Sequence, residues 1–253
     1  MAIGEQNAAL FVEDVSVKLG ESLVLSDITF QVRPYSLLGV VGPNGGGKST
    51  LFNAIAGIYK LNTGRVLVYG QPPDKARGKI AYVPQREDVN WRFPLTAKDV
   101  VALGRSRKIG WLRRASKYDT EIVQASLKRV GMWEERESLI NELSGGQRQR
   151  VFVARALAQE ADILLLDEAF SGVDVASQEG LVTVLRALRD DGKTILMATH
   201  DLTNMAERFD EVLAINHHVC AFGSPETAFT PEVLEELYGA HGVVFGNGGG
   251  DHS

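Results

Sequence analysis

The sequence predicts an α/β fold in which buried parallel strands alternate with helices, and three observations carry that expectation. Short apolar runs occur at Leu37-Leu38-Gly39-Val40-Val41, Ile163-Leu164-Leu165-Leu166 and Thr194-Ile195-Leu196-Met197-Ala198, the composition of strands covered on both faces. Helical periodicity follows two of them: Thr50 to Ala56 after the first, and Leu181, Val184, Leu185 and Leu188 at i, i+3, i+4 and i+7 after the second. Between the first run and its helix lies Gly42-Pro43-Asn44-Gly45-Gly46-Gly47-Lys48-Ser49-Thr50, which matches G-x-x-x-x-G-K-[ST] at every required position.

Other elements fall in order around this frame. From Leu10 to Val32 the pattern is short and β-like, with Phe11, Val12, Val15 and Val17 in one run and Ile28, Phe30 and Val32 alternating with polar residues. It predicts a half-buried antiparallel subdomain ahead of the glycine-rich loop. Gly57 and Asn62-Thr63-Gly64 break the chain before a strand at Arg65 to Tyr69, and another strand, Lys79 to Val83, ends at Pro84-Gln85. From about 88 to 158 helical periods dominate, as in a helical subdomain inserted into one domain spanning 1–245. Within it Arg105, Arg107, Lys108, Arg113, Arg114 and Lys117 form a basic segment without a carboxylate, expected as a solvated surface. Ser224-Pro225-Glu226 and Thr230-Pro231-Glu232 each offer an N-cap with proline at N1, so short helices close the domain. Residues 246–253 read as a flexible tail.

Composition excludes several classes. With 253 residues, 44% hydrophobic and 23% charged, the chain resembles ordinary globular proteins. No run approaches the roughly 18 apolar residues of a membrane-spanning helix, and Met1-Ala2-Ile3-Gly4-Glu5 lacks the regions of a secretory signal, so it is expected neither to span a membrane nor to be exported. A net charge of -5 argues against a nucleic-acid partner, which clustered cations would have to hold. Cys220 is the single cysteine; it permits no internal disulfide and reads as a small buried hydrophobe. His217, His218, His241 and His252 lack the spacing of a ligand set and read as surface or loop histidines.

The glycine-rich loop carries the chemistry. Its glycines let backbone N–H groups close around phosphate oxygens at a helix N-terminus; Lys48 adds a full charge to the outer phosphates and Ser49 a hydroxyl for Mg²⁺. Asp167 and Glu168 end the second apolar run, Asp167 placed to hold Mg²⁺ through its water shell and Glu168 to deprotonate an attacking water. His200 ends the third run. In open parallel sheets ligands gather outside the carboxyl ends of strands, so these groups face one site.

Leu143-Ser144-Gly145-Gly146-Gln147 adds a second capped helix start able to meet an anion. With it the chain resembles the ABC (ATP-binding cassette) ATPase family, whose hallmark is this segment lying between the phosphate loop and the Asp-Glu strand. The resemblance extends from Phe11 to about Tyr238 and includes Gln85, Ser171-Gly172-Val173-Asp174 and His200. It implies a phosphate-loop NTPase core with an antiparallel β subdomain and an inserted helical subdomain, binding ATP and Mg²⁺. It also implies a head-to-tail homodimer, with ATP held between Gly42 to Thr50 of one copy and Ser144, Gly145, Gly146 and Gln147 of the other. Gln85 would contact Mg²⁺ or water and report to a membrane partner, Asp174 would couple the two sites, and His200 would contact the γ-phosphate. Two departures stand out: Leu19 occupies the place of an adenine-stacking aromatic, and Ala169 that of a proline.

Three functional classes compete. An ATPase subunit energising a polytopic permease, with an external solute-binding protein, at the cytoplasmic face of a bacterial membrane is favoured. A soluble ABC ATPase of DNA repair or translation would carry coiled coils, zinc insertions or two cassettes, and a scaffold without hydrolysis conflicts with Lys48, Asp167 and Glu168. Tyr82-Val83-Pro84-Gln85, Asn90-Trp91-Arg92-Phe93-Pro94-Leu95-Thr96, Gly104-Arg105 and Gly110-Trp111-Leu112-Arg113-Arg114 resemble cassettes of bacterial zinc/manganese importers. This implies a divalent metal as cargo, with an iron chelate as the alternative, and a docking surface at Trp91, Phe93 and Trp111.

Overall fold

Alternation of side chains along each strand decides the architecture. The computed structural model describes residues 4–85, 94–110, 113–168, 173–202 and 204–239. Strand β1 (Leu10–Leu19) pairs antiparallel with β2 (Ser22–Val32), Val12 opposite Phe30 and Val15 opposite Ile28. After β3 (Leu37–Val41) and helix α1 (Lys48–Ile55), β4 (Thr63–Val68) pairs with the other edge of β1, giving a three-stranded sheet of order β2-β1-β4. The break foreseen at Thr63-Gly64 therefore lies inside a strand. Gly64 has φ 76° and a Cβ there would sit 2.3 Å from the carbonyl oxygens of Glu13 and Asp14, so only glycine lets the strands approach.

The second sheet is the scaffold of the site. It joins β5 (Ile80–Val83), β6 (Ile163–Leu166), β7 (Thr194–Thr199), β8 (Glu211–Asn216) and β9 (His218–Gly223) to β3 in the order β5-β6-β7-β3-β8-β9, parallel except for β9. Its central strands are covered on both sides. Leu164 and Leu166 face one hydrophobic core with Ile195 and Met197, while Ile163 and Leu165 face the other with Leu196 and Ala198. Each fully buried leucine contributes about 1.5–3 kcal/mol by removal from water. One core lies toward the helical part; the other is closed by α1 and the three-stranded sheet. Strands β8 and β9 were not foreseen among the sequence patterns, and they close one edge of the sheet.

Capping residues set the helical part. Thr96, Ser116 and Ser144 each close a reciprocal capping box at the start of α2 (Ala97–Ala102), α4 (Lys117–Arg129) and α5 (Gly145–Ala158), a short α3 (Ser106–Ile109) lying between the first two. Helices α2 and α4 pack on α5, which reaches back to β5 and to α6 (Val175–Asp190). The chain closes through α7 (Met205–Arg208), α8 (Pro225–Ala228) and α9 (Pro231–Tyr238); proline stands at the first turn of α8 and α9, and Thr230 caps α9. No helix among the described residues is long and apolar enough to cross a membrane.

The basic segment departs from expectation at Arg105. This side chain is 3% exposed and donates to Asp119 (2.9 Å), to Glu160 (2.5 Å) and to the Ala158 carbonyl (2.9 Å). Its counterions come from distant sequence positions, so the stretch that reads as uniformly basic anchors α4 and α5. Arg107, Lys108, Arg113, Arg114 and Lys117 are exposed. Trp91, Phe93, Trp111, Ala169, Ser171, Gly172, His241, His252 and the tail lie outside the described residues.

Candidate nucleotide site

Strand β3 delivers the chain to Gly42, where any side chain would collide: a Cβ would lie 2.0 Å from the Ile215 carbonyl oxygen. The loop then turns to Gly47, whose φ of 97° starts α1 with no side-chain cap, leaving the helix N-terminus to be met by another partner such as an anion. Lys48, 4% exposed, donates to the carbonyls of Gly42 and Pro43, both at 2.9 Å. Burial lowers its pKa, and the charges of Glu168 and Asp167 oppose that shift. The β8–β9 turn supports the loop from outside: the His217 amide donates to the Gly46 carbonyl at 2.9 Å, and its Nδ1 lies 3.0 Å from the Val24 carbonyl.

At the end of β6, Asp167 is 2% exposed. Its Oδ2 accepts a hydrogen bond from the Tyr82 hydroxyl at 3.0 Å, whereas Oδ1 is buried without a hydrogen-bond partner among the described residues. Burial raises the Asp167 pKa, opposed by the hydroxyls of Ser49 and Tyr82. An unpartnered buried carboxylate oxygen suits a cation, whose charge would offset its desolvation. Glu168 adopts φ 48°, a left-handed conformation costing of order 1–3 kcal/mol for a residue with a Cβ. Its Oε2 accepts from Gln85 Nε2 at 2.6 Å. The two meet because β5, which Gln85 follows, pairs with β6 in parallel register.

A cleft of 240 Å³ is lined by Asn44, Gly45, Gly47, Lys48, Ser49, Thr50, Gln85 and Glu168. Other expected site residues fall elsewhere. His200 follows β7 and is exposed without lining this cleft. Ser144 to Gln147 start α5, where Ser144 Oγ accepts from the Gln147 amide (3.2 Å) and Gln147 Oε1 from the Ser144 amide (2.9 Å). This turn abuts the start of α6: a Cβ on Gly146 would lie 2.7 Å from that of Ser177, and Asp174 caps α6 through the Ser177 amide at 2.9 Å. None of Ser144, Gly145, Gly146, Gln147 and Asp174 lines the cleft.

Tyr82 is a site residue that the sequence reading passed over. It packs edge-on against Phe52 of α1, ring centroids 6.4 Å apart, while bonding Asp167. Burial and the Asp167 charge raise its pKa, which keeps the phenol protonated as a donor. An aromatic at an otherwise apolar strand position, next to last in the strand, was the available signal. Cys220 departs from expectation, being half-buried rather than a core residue, while His218 is exposed as expected; His218 Nε2 lies 2.6 Å from Glu236 Oε1 and 3.9 Å from Cys220 Sγ.

A phosphate loop, a buried strand-end aspartate and an adjoining glutamate on a mainly parallel sheet define a nucleoside-triphosphate hydrolase core. Residues 25–171 match the ABC transporter domain, and the chain belongs to that family of ATPases coupled to transport. It is 44% identical over 239 residues to the manganese transport system ATP-binding protein MntB of Halalkalibacterium halodurans, covering 94% of this chain and 95% of that one. To the zinc transport system ATP-binding protein TroB of Treponema pallidum it is 43% identical over 231 residues, covering 91% and 87%. A solved metal-chelate type ABC transporter in an inward-facing conformation superposes with a TM-score of 0.82 at 29% identity, covering 92% of this chain and 89% of that one.

Proposed function

We propose that this chain is the peripheral ATPase subunit of a bacterial importer for manganese or zinc, bound to a polytopic permease at the cytoplasmic face of the membrane and served by an external solute-binding protein. The observation that carries this reading is the likeness, at 43–44% identity over nine-tenths of the chain, to manganese and zinc transport subunits. The site supports the accompanying mechanism. Loop N–H groups and Lys48 hold the triphosphate, and Lys48 exchanges its two carbonyl bonds for phosphate oxygens. Ser49, Asp167 and Gln85 would hold Mg²⁺, which when bound neutralises charge on the β- and γ-phosphates. Glu168, oriented by Gln85, accepts the proton of the attacking water, and His200 reaches the γ-phosphate when the site closes.

Because Ser144 to Gln147 and Asp174 sit together outside the cleft, the reading assigns them to the site of a second copy in a head-to-tail homodimer. Closure of that dimer would drive the permease. Deleting the gene in its host and measuring uptake of radioactive manganese and zinc tests the cargo. Uptake of one ion is expected to fall and to recover with wild-type protein but not with Glu168→Gln. Unchanged uptake of both, with loss of uptake of another solute, would refute the metal assignment.

A further inference from the structure

Outside the nucleotide cleft, among the described residues, one cluster has the chemistry of a metal centre: His218, Cys220 and Glu236, with one donor atom of each lying within 4.8 Å of the others. The fold builds it from two elements. His218 of β9 pairs with Asn216 of β8, whereas Cys220 is the unpaired extra residue of a bulge between Val219 and Ala221, and the bulge leaves its sulfur beside the His218 ring. Helix α9 packs against β8 and β9 and brings Glu236 to that pair, held there in part by Asn216 Nδ2, which donates to the Glu236 carbonyl at 3.4 Å. The separations are 3.9 Å from Cys220 Sγ to His218 Nε2 and 2.6 Å from His218 Nε2 to Glu236 Oε1.

We infer that His218 Nε2, Cys220 Sγ and a Glu236 carboxylate oxygen form a binding site for Zn²⁺, distinct from the nucleotide site. Tetrahedral zinc with bonds of about 2.0–2.3 Å places neighbouring donors roughly 3.4–3.6 Å apart. Cys220 and His218 stand within a few tenths of an ångström of that spacing. Glu236 has only to give up its bond to His218, and both are exposed and able to turn. A thiolate, an imidazole and one carboxylate select zinc over manganese, which favours all-oxygen sets. Three protein ligands leave the fourth position to water, so the ion is exchangeable rather than structural. The inference does not depend on which ion is transported.

The test uses the reduced full-length protein without nucleotide, titrated with Co²⁺ as a spectroscopic probe. A thiolate-to-cobalt charge-transfer band saturating at one equivalent is expected, lost on adding one equivalent of Zn²⁺ and unaffected by equimolar Mn²⁺. His218→Ala and Glu236→Gln retain the thiol and should each bind Co²⁺ at least tenfold more weakly, with circular dichroism and ATP affinity as wild type. No band in the wild-type protein, or wild-type cobalt affinity in both variants, would overturn the site.

Discussion

Lys48 is held by two carbonyls of its own loop, so the residue proposed to bind phosphate is positioned and buried. Charged hydrogen bonds of the kind it would make to phosphate are worth about 1.5–3 kcal/mol each. Lys48→Ala is therefore expected to weaken ATP binding by one to two orders of magnitude, read by calorimetry, and to abolish turnover. Leu19, at the place expected for an adenine-stacking residue, is exposed at the end of β1. Without an aromatic there, the stacking contribution of about 1–3 kcal/mol is missing, and competition binding should show ATP and GTP within a fewfold of each other. Leu19→Tyr should tighten ATP. The loop and the Asp167-Glu168 pair were legible because a contiguous motif dictates its own local geometry. Tyr82 was not, since its role depends on β5 lying beside β6. The Cys220 cluster was hidden too: Cys220 meets His218 through a bulge in β9, and Glu236 arrives from a helix.

Among the elements, the helical part is tied together by charge as well as by apolar packing. Glu160 accepts from Lys108, Tyr118 and Arg105, contacts that lower its pKa from 4.5 to about 2. Asp119 is also held at about 2, chiefly by the Ser116 capping bonds and then by Arg105. A carboxylate depressed by folding stabilises the folded form above its unfolded pKa, and that contribution fades as pH falls through the folded value. Acid titration should therefore lower the melting temperature between about pH 4.5 and 2. Arg105→Ala leaves two carboxylates without their buried cation and should cost about 3 kcal/mol, read from denaturant midpoints. It should also flatten the acid response, while Arg107→Ala, on an exposed side chain, should do neither. Charge spacing along the chain could not show this, because Asp119 and Glu160 are 14 and 55 residues away from Arg105. Strand β9 escaped notice for a related reason: His218 to Gly223 mixes polar and apolar residues and takes its strand character from pairing with β8, whereas the apolar run Val212 to Ile215 of β8 carried the same signal as the other parallel strands and went unread.

For the whole molecule, five of the fourteen expected ATP contacts, Ser144 to Gln147 and Asp174, lie away from the cleft. Glu168→Gln keeps shape and hydrogen bonding but removes the proposed base, for which a loss of about 10²–10⁴-fold in turnover is expected. With ATP and Mg²⁺ it should accumulate as a dimer on size-exclusion chromatography, and Ser144→Arg should return it to monomer by blocking the second half of the site. The fold class was legible at this scale because the parallel core is written in apolar runs, whereas the antiparallel edge strand β9 is not. That edge has a consequence of its own. The His217 amide donates to the Gly46 carbonyl of the phosphate loop while the same turn opens β9, so the loop and the hairpin are joined by a direct backbone contact. Thermodynamic reciprocity then binds the two ends: whatever factor a ligand on the hairpin imposes on nucleotide affinity, nucleotide imposes on that ligand in return.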